Sequence, residues 1–273
     1  MTSPIEIYLS SQYATTKFNG TSNSDMTFLF TSPIIPPLNH NMTLRLKNIY
    51  LPLSMYIINE TNNVLVIDTS TYILSEGNYN ANTLKTELSS KLGVNYTITY
   101  NNITNKLTFT NSLGNFTIQS TSTCLRILGF LENISYSSVA NSLTSIYPID
   151  LTGDNIVYIS VPNLKTFNLS SKTSTQTSII SSLLVEVPYG SVLYYENPVL
   201  IGSVIQEDHI SFIHVRVYGE DENTLLNLEN AEWSITLEIG FIPKMEQPTI
   251  SNSMKDIYKN YIESLINKDD KKQ

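Results

Sequence analysis

Three histidines, His40, His209 and His214, are the first residues to test for proton transfer or metal ligation, because imidazole titrates near neutral pH. His40 stands in a Pro/Asn-rich stretch. His209 and His214 are five residues apart in an extended run and so point to opposite faces. That spacing converges on neither a metal nor a nucleophile. Glu220, Asp221 and Glu222 could supply carboxylates to calcium, but the spaced oxygen ligands and the glycine of a dedicated loop are missing. They read as a solvated turn. No glycine-rich phosphate cradle is present. Trp233 and the tyrosines could stack on sugars, but Trp233 opens an alternating strand, so it reads as core. Cys124 is the single cysteine, which excludes an intrachain disulfide. It sits in an apolar run and reads as a small core residue. No catalytic, cofactor-binding or metal-ligating residue is assigned, no cofactor is implied, and the chain is read as a non-enzyme.

The elements that would position any site are mostly strands. Ile5, Ile7 and Leu9 alternate with polar residues, as do Met26, Phe28 and Phe30, and then Met42, Leu44 and Leu46. The strand after Met26 should stop at Pro33, which has no amide to give a ladder. Ile156–Val161, Leu183–Val187 and Val192–Tyr195 are further strands. Residues 210–218 carry apolar side chains on both faces and predict a central strand. Trp233, Ile235, Leu237 and Ile239 mark the last one. Residues 131–145 and 168–178 read as loops.

One stretch breaks the period. Leu84, Leu88 and Leu92 recur every four residues, with Asn80 as a cap and Gly93 as a stop. A hairpin follows, with Tyr96, Ile98 and Tyr100 facing Leu107 and Phe109 across a turn at Asn101, Asn102 and Asn105. Gly114-Asn115 then turns into a third strand over 116–119. The expected division is an N-terminal arm at 1–24 and a β-sandwich from 25–59 and 139–243. An inserted α+β unit of helix plus hairpin takes 60–138. A helical tail takes 244–273, where Met254, Ile257, Tyr258, Tyr261, Ile262 and Leu265 follow helical spacing.

Composition narrows the functions. The chain has 273 residues, 41% of them hydrophobic, 15% charged, and a formal charge of −8. That balance argues against strong nucleic-acid binding, which needs clustered cations. Lys255, Lys259, Lys268, Lys271 and Lys272 alternate with acids and read as a solvated helix face. No apolar run is long enough to span a membrane, and Met-Thr-Ser-Pro at the start carries no secretory signal. The Asn-x-Ser/Thr triplets at Asn19, Asn41, Asn59, Asn95, Asn102, Asn115, Asn133 and Asn168 read as products of composition, not as glycan sites.

Five stretches in order carry a resemblance. They are Ser24-Asp25-Met26-Thr27-Phe28 with Pro33-Ile34-Ile35-Pro36; Leu51-Pro52-Leu53-Ser54-Met55-Tyr56; Gly77-Asn78-Tyr79-Asn80 with Leu84, Leu88, Thr99-Tyr100 and Asn105-Lys106-Leu107-Thr108-Phe109; Leu128-Gly129-Phe130; and Val215, Gly219, Leu228, Trp233 and Leu237. Together they resemble the penton and minor capsid proteins of virophages and related polinton-like or large DNA viruses. The C-terminal helix is not part of that pattern. The resemblance implies a mainly β fold, a single upright jelly roll with an inserted upper domain. It also implies a structural protein of the virion capsid, assembled inside the host cell. Its partners would be further copies of itself, as a homopentamer at the shell vertices, the major capsid protein and other minor capsid proteins. The alternative is a non-enzymatic glycan-binding or host-attachment β-sandwich.

Overall fold

The computed structural model describes residues 3–18, 22–166, 168, 177–199, 202–222 and 224–244. All but the first residue of the expected tail over 244–273 and most of the expected loop over 168–178 lie outside them. In chain order the strands are β1 (Ile5–Ser10), β2 (Thr16–Lys17), β3 (Asp25–Ile34), β4 (His40–Pro52), β5 (Val64–Ile67) and β6 (Ser70–Ile73). Helix α1 (Ala81–Leu92) follows. Then come β7 (Tyr96–Asn101), β8 (Lys106–Asn111), β9 (Thr117–Ile118), β10 (Tyr136–Ser137), β11 (Ser142–Thr144) and β12 (Ile156–Ser160). The last are β13 (Ile179–Leu184), β14 (Val192–Glu196), β15 (Ser203–Val204), β16 (Ile210–Tyr218) and β17 (Ser234–Pro243).

Eight of these strands pair in a nested way. The first pairs with the last (β1 with β17), the second with the seventh (β3 with β16), the third with the sixth (β4 with β14) and the fourth with the fifth (β12 with β13). Rolling those antiparallel pairs gives two sheets, β1-β17-β4-β14 with β15 beside β4, and β13-β12-β16-β3-β2. This is jelly-roll topology, two sheets that bury one face each. Leu44, Leu46, Ile49, Leu51, Ile235, Leu237 and Ile239 from one sheet meet Met26, Val157, Ile159, Ile213, Val215 and Val217 from the other.

The first strand corrects an expectation. Residues 5–10 lie on β17 from Ile5 opposite Ile239 to Ser10 opposite Ser234, and Ile7 and Leu9 are buried in the roll. They are therefore part of the roll and not of a free arm. Burial of Ile7 and Leu9 acts together with the ladder to β17 to offset the loss of chain freedom. The proline at 33 also behaves differently. β3 runs through it, because the register of β16 jumps from Phe212 opposite Leu29 to Ile210 opposite Ile34. Pro33 falls in the irregular stretch between, where its missing amide interrupts no regular ladder. β16 is central, as expected, but one-sided. Ile213, Val215 and Val217 are buried, while Phe212, His214, Arg216 and Tyr218 lie on the outer face.

The connection between β4 and β12 holds a second core. Ile58, Leu65, Ile67, Leu84, Leu88, Ile98, Leu107, Phe109, Phe116, Ile118, Leu125 and Leu128 form a cluster of their own. α1 is capped as its sequence predicts. The Asn80 side chain accepts from the amides of Asn82 and Thr83, and the Thr83 hydroxyl accepts in turn from the Asn80 amide. Leu84, Leu88 and Leu92 are its buried face. The third strand departs from expectation. β9 joins β5, β6 and β10 in one small sheet, and β11 pairs with the far side of β8 from β7 in another. Residues 131–145, expected as a loop, thus contribute strands to both small sheets. Leu143, Ile149 and Leu151 pack on the same cluster, so this unit extends past residue 138. Gly129 (φ +81) has no substitute there, since a Cβ would lie 2.3 Å from the Tyr147 carbonyl oxygen.

Candidate interaction surfaces

The outer side of the β1-β17-β4-β14 sheet carries charged side chains, of which Arg45 is itself buried. Arg45 on β4 binds Glu238 on β17 through two parallel hydrogen bonds, Nε to Oε1 at 2.8 Å and Nη2 to Oε2 at 2.8 Å. Its Nη1 donates to the Val199 carbonyl at 2.7 Å. Such a bidentate pair fixes orientation as well as charge. The Arg45 hydrogen bonds hold the Glu238 carboxyl below the usual carboxylate range. One strand further, Lys47 pairs with Glu6 on β1, and the Tyr8 hydroxyl donates to the other Glu6 oxygen at 2.5 Å. Both contacts lower the Glu6 pKa, that of Lys47 first. On β14, Tyr194 donates to Glu196 at 3.0 Å. Its ring packs on that of Tyr50 with centroids 4.7 Å apart. A cleft of ≈ 390 Å³ opens between Arg45, Lys47, Glu196, Asn197 and Pro198. Arg45, Tyr50 and Tyr194 are of types enriched in protein contacts, whereas Lys47, Glu6 and Glu238 are of types depleted there.

The opposite outer face holds a smaller cluster. Asp25 on β3 receives His214 Nε2 on Oδ1 at 2.5 Å and Arg216 Nε on Oδ2 at 3.0 Å. Phe18 packs on the imidazole with centroids 5.2 Å apart. The Arg216 Nη1 donates to the Tyr218 hydroxyl at 3.4 Å. Among the described residues no hydroxyl or thiol hydrogen-bonds the His214 ring. The cluster therefore ties two strands together and presents no nucleophile.

The residues singled out in the sequence are dispersed. His40 Nδ1 lies 2.9 Å from the Leu38 carbonyl oxygen in the β3–β4 loop. His209 is exposed just before β16. Asp221 accepts from the amide and hydroxyl of Thr224, which closes its turn. Among the described residues no three His, Cys, Asp or Glu side chains gather to hold a metal ion. Cys124 is fully buried, which pushes its thiol up to about 12. Trp233 is core, packs edge-on to Phe28, and donates from Nε1 to the Asn23 carbonyl at 2.5 Å. The partnership of Asp25 with His214 and Arg216 was not legible. His214 and Arg216 are evident on one face, but only the pairing of β16 with β3 brings Asp25 to them.

No family model matches this chain, and no curated protein does. Among solved structures, the crystal structure of the mavirus penton protein aligns with 88% of this chain and 100% of its own at 12% identity, with a TM-score of 0.49.

Proposed function

We propose that the chain is a structural, non-enzymatic subunit of a virus capsid, a vertex protein that assembles as a homopentamer. It would contact the major capsid protein and other minor capsid proteins, and would be assembled inside the host cell. The observation that carries this reading is the nested pairing of eight strands with a second core set into the connection between the third and fourth. A single jelly roll with an inserted domain is what the five sequence stretches imply. The two outer faces support it. One carries the Arg45–Glu238 and Tyr50–Tyr194 band and the other carries Asp25, His214 and Arg216. Two different surfaces on opposite sides of one sandwich are what a head-to-tail ring requires.

Mass measurement of the full recombinant chain over a range of concentrations tests the reading, with and without the major capsid partner. A species of five copies is expected. A chain that stays monomeric and also fails to enter particles with that partner would sink it. One observation favours the alternative of a glycan-binding protein, the half-exposed Tyr50 and Tyr194 rings beside a cleft. A glycan array separates the two. Saturable binding lost in Tyr50→Ala supports the lectin, and no binding supports the shell subunit.

A further inference from the structure

The two cores are joined by an entry and an exit. Leu53 and Met55 belong to the roll and Ile58 to the insert, so the entry lies at 56–57. On the way back Leu151 packs on the insert and Val157 lies in the roll, so the exit lies at 152–156. Within 53–58 and 151–157 the sequence places one charged side chain, Asp154. A proton that acts on the junction's own residues therefore acts at the exit.

The exit is tied to two loops of the roll. The Glu220 amide donates to Asp154 Oδ1 at 3.1 Å, and the Asn155 amide donates to Glu220 Oε2 at 3.3 Å. The Tyr189 hydroxyl donates to the Asp154 carbonyl at 3.2 Å. Its ring lies against Gly153 (φ +66), where a Cβ would sit 2.1 Å from that hydroxyl. The tie to Glu220 carries a conflict. It sets the half-buried Asp154 carboxyl beside the Glu220 carboxylate, with Asp221 on the same turn. Burial pushes the Asp154 carboxyl above the usual carboxylate range. The Glu220 amide opposes this, and the charges of Glu220 and Asp221 add to it. The cation that acts on Asp154 is Arg126 of the insert, whose Nε is held by Asp150 at 3.2 Å. The Tyr189 tie has no such conflict. Burial pushes its hydroxyl up to about 12, so it stays a donor through the neutral range.

We propose that the exit is a proton-operated latch, which clamps the insert to the roll when Asp154 is neutral and eases when Asp154 faces Glu220 and Asp221 as a carboxylate. Like charges brought together at a partly dehydrated site disfavour the ionised form. By the same coupling, ionisation disfavours the closed tie. A carboxyl raised in the folded state contributes stability below its unfolded value of about 3.9, and that contribution is lost as pH rises through the folded value. Acid therefore tightens this junction. The direction is opposite to that of a carboxylate held by a guanidinium, such as Glu238. The entry is tied by amides alone. The Ile57 amide donates to Asn78 Oδ1 at 2.8 Å, and Asn78 Nδ2 donates to the Met55 carbonyl at 3.3 Å. It stays closed as a pivot while the exit changes. The latch needs one copy of the chain and does not rest on the assembly reading.

The test is amide hydrogen exchange of the full chain, read by mass spectrometry and corrected for the intrinsic rate, from about pH 5 to pH 8. In the wild type, protection of residues 152–156 and of the Glu220 amide is expected to fall about threefold or more as pH rises. β4 and β17 should keep theirs. Asp154→Asn retains an Oδ1 acceptor for the Glu220 amide and removes the charge. Its exit should be as protected at the upper end of the range as the wild-type exit is at the lower end, with no slope left. Glu220→Gln retains the amide donor, removes the facing charge and should reduce the slope. It decides the outcome if circular dichroism shows that the Asn variant does not fold. A wild-type exit without a slope overturns the latch. So does an Asp154→Asn exit that keeps the wild-type slope, or one less protected than the wild type in the neutral range. An unchanged slope in Glu220→Gln overturns it as well.

Discussion

The roll and its insert bury similar side chains but are closed by contacts of different reach. In the roll, β1 pairs with β17 more than two hundred residues away, and every nested pair must enclose the one inside it. In the insert, α1 packs beside β7, and β7 pairs with β8 across a short turn. Loop-closure entropy is therefore a large term for the first and a small one for the second. The lesson is that the two cores can be perturbed separately. Trp233, the only tryptophan, lies in the roll, and α1, the only α-helix among the described residues, lies in the insert. Tryptophan fluorescence therefore reports on the roll, and the helical circular dichroism of a chain ending at Lys244 reports on the insert.

The largest effect is expected from removing residues 1–10. That deletion takes Ile7 and Leu9 out of the roll, each about 1.5–3 kcal/mol of burial, together with the whole ladder on β17. Against a total stability of about 5–15 kcal/mol, the fluorescence midpoint in urea should collapse. If it holds, residues 5–10 act as an arm after all. Leu88→Ala should cost about 2–5 kcal/mol in the insert. The helical signal should then melt earlier while the Trp233 transition keeps its midpoint. Coincident melting of both signals would show that the two cores form one cooperative unit. Asn80→Ala removes an acceptor for two first-turn amides and should cost about 1 kcal/mol, again seen only by the helical signal.

The smallest effect concerns pH. The Arg45 hydrogen bonds lower the Glu238 pKa in the folded roll. A carboxyl lowered in this way contributes stability above its unfolded value of about 4.3, and that contribution is lost as pH falls through the folded value. The fluorescence midpoint should therefore decline below about pH 4, and Glu238→Gln should flatten that decline. The acid response of the helical signal should be the same in both proteins. If Glu238→Gln leaves the acid limb of the roll unchanged, the pair carries no linkage.

The sequence by itself determined the local elements. Leu84, Leu88 and Leu92 with Asn80 and Gly93 describe α1 within a residue, because helix caps and a four-residue stripe act between near neighbours. The hairpin of β7 and β8, the buried Cys124 and the core position of Trp233 were legible for the same reason. Strand existence was legible for Met42–Leu46 and Ile235–Ile239, since alternation reveals one buried face. Only the tertiary structure decided which strand lies beside which. Ile5–Leu9 reads as a short strand, but its place on β17 depends on a partner more than two hundred residues later. The fate of β9, which leaves its neighbour hairpin for β5, depends on which apolar face is free after the hairpin closes. Asp25, His214 and Arg216 converge for the same reason. Pairing is set by burying every apolar face at once, a condition on the whole chain that no single stretch contains.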